Sequence, residues 1–202
     1  DPRTPVVCVD LWYHVGAFDE ERSKSGFAHL FEHLMFQGSK HNPGDGHLKL
    51  LESVGASELN GSTNFDFTNY YECVPNNEIE LLLWLEADRM AWMMDVVDQA
   101  KLDEQRGVVK NERRQRVDNV PYRLGDEALW QAMFPADHPY RGWLIGSLAD
   151  LDAAGKTGTA QVVSGKIAHA WFTGYAPRSC PRVTVVVFID EGETKVVAAE
   201  HE

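Results

Sequence analysis

The hydrophobic pattern of this chain alternates between segments typical of strands and segments typical of helices. Residues 5–16 are rich in β-branched and aromatic side chains, which indicates a buried strand. Residues 56–74 have the same character, and we interpret them as two further strands. Longer apolar or amphipathic runs predict helices at 46–54, 78–95, 99–117 and 121–134. The expected fold class is therefore α+β, with an antiparallel or mixed sheet covered by helices.

The composition limits the partners that this chain can have. Its 202 residues are 44% hydrophobic, which is enough to build the core of a globular domain. The net charge is -12, so there is no basic surface for nucleic acid or for anionic lipid headgroups. No apolar run approaches the roughly 18 residues of a membrane span, and no signal peptide is found. We expect neither nucleic-acid binding nor a membrane span, and the compartment stays open between cytoplasm and periplasm.

Three cysteines, Cys8, Cys73 and Cys180, are widely spaced along the chain. Their odd number and the lack of a Cys-x-x-Cys pair argue against a disulfide framework and against a thiolate metal site. The sequence therefore predicts buried free thiols.

Residues 26–38 form a short amphipathic stretch that carries two histidines and a glutamate. A helix is predicted because no proline interrupts the stretch and a glycine stands at each end. In a helix, His29 and His33 lie one turn apart on the same face, where both imidazoles can reach one ion. Glu32 borders that face, so its carboxylate can accept a hydrogen bond from water held by the ion. The spacing His-x-x-Glu-His matches the inverted zincin signature, and the alternative is two histidines satisfied within a core.

A catalytic zinc site needs a third protein ligand, and a carboxylate from another element would complete it. The best candidate is Glu112, 79 positions after His33 in a long charged segment predicted to be helical. The alternative for this residue is a solvated glutamate paired with Arg116 at helical spacing. His41 and His47 have no ligand spacing, so both are predicted to lie at the surface.

Several separate motifs occur in order along the first three quarters of the chain. They are His29-x-x-Glu32-His33, Asn60-Gly61-Ser62-Thr63, Tyr70-Tyr71-Glu72, residues 85–90 and residues 106–112. Together they resemble the pitrilysin/insulinase family of zinc peptidases, in its bacterial processing-protease-like branch. The resemblance implies a half-domain of that family, with His29, His33 and Glu112 as ligands of Zn²⁺ and Glu32 as general base. Some family members have a helpful glutamate seven residues before the third ligand, where this chain has Gln105.

The same resemblance implies how a substrate binds. Asn60, Gly61, Ser62 and Thr63 would form an exposed strand edge, to which an extended peptide adds as another strand. The alternative is an ordinary hairpin with its turn at Asn60-Gly61. Peptidases of this kind enclose the substrate with further homologous domains, so we expect a homologous partner domain or a homo-oligomer.

The segment 155–202 differs from the rest of the chain. It holds five acidic and five basic residues, against 26 and 14 in residues 1–154. Lys156-Thr157-Gly158, with residues 169–177 and 183–190, resembles the last part of a penicillin-binding protein transpeptidase domain. No serine has a lysine three residues on, so acylation chemistry is not expected.

Two domains are therefore predicted. Residues 1–154 would be a peptidase half-domain truncated at both ends, and residues 155–202 a transpeptidase-like fragment that packs onto it and extends its sheet as a strand or hairpin. The alternative is that 155–202 belongs to the peptidase fold itself.

The predicted function is a zinc-dependent metalloendopeptidase that cleaves extended peptides through zinc-bound water, with Glu32 as general base. The alternative is a catalytically inactive chimeric fragment that folds and binds metal but has no substrate. A cell-wall transpeptidase or β-lactam binder is a third hypothesis, which lacks a nucleophile.

Overall fold

The computed structural model describes residues 5–20 and 24–153, together with the backbone of residues 170–176, 183–190 and 193–200. The strands are β1 (Val6–Tyr13), β2 (Ser57–Thr63), β3 (Thr68–Pro75), β4 (Ala170–Ala176), β5 (Val183–Asp190) and β6 (Glu193–Glu200). The helices are α1 (Phe27–Leu34), α2 (Gly46–Ser53), α3 (Ile79–Trp92), α4 (Gln99–Arg113), α5 (Arg123–Met133) and α6 (Leu148–Ala153). A π-helical turn, Arg114–Asp118, continues α4. The predicted α+β class is confirmed.

The strands form one antiparallel sheet in the order β2-β3-β1-β4-β5-β6. β1 pairs with β3 over its full length, from Val6 opposite Pro75 to Tyr13 opposite Thr68. On its other side β1 pairs with β4, with Leu11 opposite Phe172. The expected extension of the sheet by C-terminal strands is therefore found. Within the described strands β2 lies at the outer edge, beside β3.

One face of the inner strands is covered by helices. Leu11 lies opposite Tyr70, and these residues therefore point to the same face of the sheet. One hydrophobic cluster joins β1, β3, α2 and α3 through Val9, Leu11, Leu51, Val74, Leu82 and Leu85. A second cluster packs α1, α4 and α6 against β3 and includes Leu30, Leu34, Tyr70, Val109 and Leu151. The second cluster therefore holds α1 and α4, which carry the candidate metal ligands, side by side.

The opposite face of β1 and β3 carries a disulfide. Cys8 and Cys73 are directly paired across the two strands, with their Cα atoms 4.0 Å apart, and their sulfur atoms are bonded. The prediction of free thiols is wrong for this pair, because strand pairing brings together residues that are 65 positions apart in sequence. Cys180 lies outside the described residues.

None of the helices in the described ranges reaches both the length and the apolar character of a bilayer span.

Candidate metal centre

The candidate site begins on α1. The helix starts after Gly26, which has a φ of 88° and whose Cβ, if present, would lie 2.6 Å from the Ile145 carbonyl oxygen. Glycine is required there by both the backbone angle and the close approach. His29 and His33 follow one turn apart, with ring centroids 4.8 Å apart and ring planes at 80°. The two imidazoles therefore occupy the same side of α1.

Glu112 brings a carboxylate to these histidines from the last turn of α4. Its Oε2 atom lies 3.7 Å from His29 Nε2 and 3.3 Å from His33 Nε2. The donor atoms of the three side chains all lie within 4.8 Å of one another. The other oxygen, Oε1, forms an ion pair with Arg116 Nη1 at 2.7 Å. Glu112 thus makes the ion pair that the sequence offered as an alternative, while its second oxygen faces both histidines.

The electrostatics of the three residues suit a divalent ion. Burial lowers the pKa of His29 to about 4, so its imidazole is neutral at pH 7 and offers a lone pair. A hydrogen bond from His33 lowers the pKa of Glu112, which favours the carboxylate form. Two imidazoles and one carboxylate from a second helix are a donor set that catalytic zinc uses in proteins. The residues present therefore fit zinc.

Glu32 lies beside this donor set. Its Oε2 atom accepts a hydrogen bond from the Thr63 hydroxyl at 2.5 Å. Burial raises the pKa of Glu32, while the Thr63 hydroxyl and His33 oppose that rise. A cavity of about 370 Å³ is lined by Glu32 and by all three candidate ligands. A carboxylate with a raised pKa that shares a cavity with a metal-type donor set is suited to act as a general base.

The strand next to Glu32 is β2. The segment 60–63 lies within this strand, and the hairpin turn follows at residues 64–67, where the Asn64 amide donates to the Phe67 carbonyl at 2.8 Å. The alternative of a turn at Asn60-Gly61 is therefore not the arrangement found. A Cβ on Gly61 would lie 3.2 Å from Glu32 Cγ, so β2 packs closely against α1. The outer edge of the described sheet thus runs past the candidate general base.

Comparison with known proteins places this arrangement in a family. Residues 1–139 match the family described as Insulinase (Peptidase family M16). The chain belongs to the insulinase family, M16. The "Zinc protease PqqE" of Helicobacter pylori is 33% identical to this M16 domain over 149 residues, which cover 74% of this chain and 33% of that protein. An uncharacterized zinc protease of Mycobacterium leprae is 33% identical over 156 residues, covering 77% of this chain and 34% of that protein.

The fold agrees with solved structures of the family. The crystal structure of a protease from Helicobacter pylori matches with a TM-score of 0.68 and 32% sequence identity, over 74% of this chain and 35% of that chain. This chain thus spans about a third of the length of the relatives described above.

The end of the chain matches a second family. Residues 137–201 match the transpeptidase domain of penicillin-binding proteins. The two matches meet at residues 137–139, earlier than the predicted junction at 154/155. Lys156-Thr157-Gly158 lies outside the described residues, so the exact domain boundary remains a prediction.

The M16 domain also contains a second buried cluster that the sequence did not reveal. His47 is 2% exposed, and its Nε2 atom lies 2.9 Å from Glu72 Oε1 and 3.7 Å from Glu86 Oε1. The surface prediction for His47 is therefore wrong, whereas His41 is half exposed. Arg89 Nη2 donates to the same oxygens, at 3.2 Å for Glu72 and closer for Glu86. Because the guanidinium supplies the positive charge that a cation would bring, this cluster is a buried ion network rather than a metal site.

A second cavity, of about 450 Å³, adjoins the candidate metal centre. Its lining combines His29, Glu32 and Glu112 with the apolar side chains of Phe65, Trp130, Trp143, Leu144 and Ile145. Phe65 and Trp130 stack, with ring centroids 5.0 Å apart and ring planes at 14°. The space next to the candidate reaction centre is therefore lined by aromatic and aliphatic side chains.

The burial of His47 and Arg113 could have been predicted from their spacing to apolar residues on the same helix face. His47 stands four residues before Leu51, which is fully buried, so both occupy the core-facing side of α2. Arg113 stands midway between the buried Val109 and Val117, again at four-residue spacing. A polar residue on the apolar face of a helix was thus the available signal in both cases.

Proposed function

We propose that this M16 domain is a zinc-dependent metalloendopeptidase that cleaves extended peptides. The observation that supports this most directly is the convergence of His29, His33 and Glu112 beside Glu32 in one cavity. His29, His33 and Glu112 would hold the zinc ion. When bound, zinc would act as a Lewis acid that lowers the pKa of a neighbouring water molecule.

Glu32 would act as the general base. Burial raises the pKa of Glu32, which makes its carboxylate a stronger base than that of a solvent-exposed glutamate. Glu32 would take the proton from the attacking water and pass it to the leaving amine of the cleaved peptide bond. The Thr63 hydroxyl, which donates to Glu32 Oε2, would hold the carboxylate in position.

The substrate would bind along β2. Residues Asn60, Gly61, Ser62 and Thr63 lie in the outer strand of the described sheet, so their main chain can pair with an extended peptide. Backbone pairing does not depend on side-chain identity, and it would bring the peptide past Glu32. The apolar wall formed by Phe65, Trp130 and Trp143 would then receive a large apolar side chain near the cleaved bond.

A second candidate function is metal binding without catalysis. Gln105 is buried on α4, two turns before Glu112, at the position where some relatives of this type carry a helpful glutamate. The chain also spans only about a third of the length of these relatives. Either property favours a folded domain that binds zinc but does not cleave peptides. In the peptidase proposed above, a homologous partner domain or a second copy would help to enclose the peptide.

Zinc content and peptide cleavage separate the two functions. The wild-type protein, purified and equilibrated with zinc, should contain one zinc ion and cleave an extended peptide that carries a fluorophore and a quencher. Glu32→Gln keeps the side-chain size and the zinc but removes the base, so cleavage should fall by about 10²-fold to 10⁴-fold. Glu52→Gln on the exposed side of α2 is the matched control and should cleave like wild type.

Two outcomes would contradict this proposal. Zinc without Glu32-dependent cleavage would favour the non-catalytic alternative. No stoichiometric zinc, or zinc binding that survives replacement of both His29 and His33 by alanine, would reject the proposed metal centre.

A further inference from the structure

Glu112 is followed in sequence by an arginine that is almost completely buried. The Arg113 side chain is 8% exposed and has three polar contacts. Its Nη1 donates to the Gly146 carbonyl at 2.5 Å, its Nη2 donates to Glu127 Oε2 at 2.8 Å, and its Nε lies 3.4 Å from Asp118 Oδ1. One guanidinium thus joins the end of α4 to the π-helical turn, to α5 and to the loop before α6.

The Gly146 end of this network reaches the start of α1. Gly146 and Gly26 both have positive φ angles, 75° and 88°. A Cβ on Gly146 would lie 2.6 Å from Gly26 Cα and 2.2 Å from the Ser25 carbonyl oxygen, so the two chain segments touch backbone to backbone. Gly26 is the residue from which α1 begins. Arg113 therefore connects, through one loop, the helix that carries Glu112 with the helix that carries the two histidines.

We propose that Arg113 is a positioning residue of the metal centre, which fixes the end of α4 against the loop that supports the start of α1. This inference rests on the proposed function, because it concerns the geometry of the three candidate zinc ligands. Those ligands come from two helices, and a shift of Glu112 by a fraction of an ångström changes its distances to both histidines. Outer contacts that orient ligands commonly change metal affinity by roughly 10-fold to 100-fold when they are lost.

The geometry of Arg113 distinguishes it from a simple buried charge. Its three partners lie in different directions, and a planar guanidinium with five N–H donors can reach all of them. A lysine at this place keeps the positive charge between Glu127 and Asp118 but presents one ammonium group. Arg113→Lys therefore retains the charge and removes the fork that spans the three partners.

Zinc affinity tests the proposal. Competition with a chromophoric chelator should show that Arg113→Lys binds zinc about 10-fold more weakly than wild type. Absorption spectra of the Co²⁺-loaded proteins should show a changed d–d band in this variant, since that band reports ligand geometry. Arg114→Lys, at the exposed neighbour on the same turn, should leave both readouts unchanged.

A second control separates positioning from general loss of stability. Leu82→Ala removes a fully buried side chain of α3, in the hydrophobic cluster that does not include α1 or α4. It should lower the unfolding temperature at least as much as Arg113→Lys without changing zinc affinity at 20 °C. If Arg113→Lys does not fold, Glu127→Gln, which keeps the arginine but weakens one contact, takes its place in the same comparison.

The possible results separate the positioning role of Arg113 from the proposed zinc function. If the wild-type protein binds zinc and Arg113→Lys binds it with an affinity within twofold of wild type, the positioning role alone is overturned. An equal loss of affinity in Leu82→Ala also overturns it, because the effect would then follow stability. Absence of zinc from the wild-type protein overturns the proposed function and, with it, this inference.

Discussion

Reduction of the Cys8–Cys73 disulfide should lower the free energy of unfolding by about 4 kcal/mol. The bond joins residues 65 positions apart, and closing a loop of that length removes about 4 kcal/mol of chain entropy at 25 °C from the unfolded state. Cys73 is 5% exposed, and reduction leaves both side chains in place, so no cavity adds to the effect. For a domain of this size the midpoint of thermal unfolding should fall by roughly 10 °C.

Urea unfolding followed by tryptophan fluorescence, with and without a phosphine reductant, measures this difference. A variant with Cys8→Ala and Cys73→Ala should be at least as unstable as the reduced protein and insensitive to the reductant. Cys180→Ser removes the cysteine outside the bond and is the matched control. Titration of the denatured, oxidised protein should find one thiol of three. Three thiols, or a loss below about 1 kcal/mol on reduction, would refute the reasoning.

Three further predictions concern the helices, the buried ion network and the general base. Gly26→Ala should destabilise the fold by more than about 1 kcal/mol in urea unfolding, because φ is 88° and the new Cβ would clash with the main chain of Ile145. Gly107→Ala is the control: its Cβ would lie in open space on α4, so it should stabilise the fold by about 0.5–1 kcal/mol. Burial raises the pKa of Glu86 from 4.5 to about 8, so between these values the folded state keeps a proton that the unfolded state has lost. The free energy of unfolding should therefore fall as pH rises from about 5 to about 8 and level off above that range, and Glu86→Gln should remove this slope. Thr63→Val removes the hydroxyl that donates to Glu32, so kcat for peptide cleavage should fall roughly tenfold at unchanged zinc content, and an unchanged kcat would exclude the orienting role.

The parts of the site that are local in sequence could be predicted from it. His29 and His33 share a helix, and helical geometry alone places them one turn apart. Glu112 is different, because it comes from a distant helix: the sequence offers it only as the best candidate for a third ligand, and the resemblance to zinc peptidases implies its role. The sequence left Glu112 either as a ligand or as a partner of Arg116, and the structure has both contacts: one oxygen faces the histidines and the other pairs with Arg116.

The parts that depend on tertiary packing were not predicted. Cys8 meets Cys73 only because β1 and β3 pair in one particular register, and no local pattern encodes that register. The lack of ligand spacing predicts His47 at the surface, but Glu72 on β3 and Arg89 on α3 form a buried polar network with it. Buried polar groups of this kind need partners from several elements, and those partners are identified only after the elements have packed.

The pairing of β1 with β4 has a consequence for how such a chain could arise. β4, β5 and β6 lie in the stretch that matches the transpeptidase family, yet β4 continues a sheet whose β1, β2 and β3 belong to the peptidase match. Main-chain amides and carbonyls are the same in every protein, so a sheet border can accept a strand of unrelated ancestry if its length and direction suit. Gene rearrangements that join two coding regions near such a border can therefore yield a continuous architecture without prior co-evolution of the joined pieces.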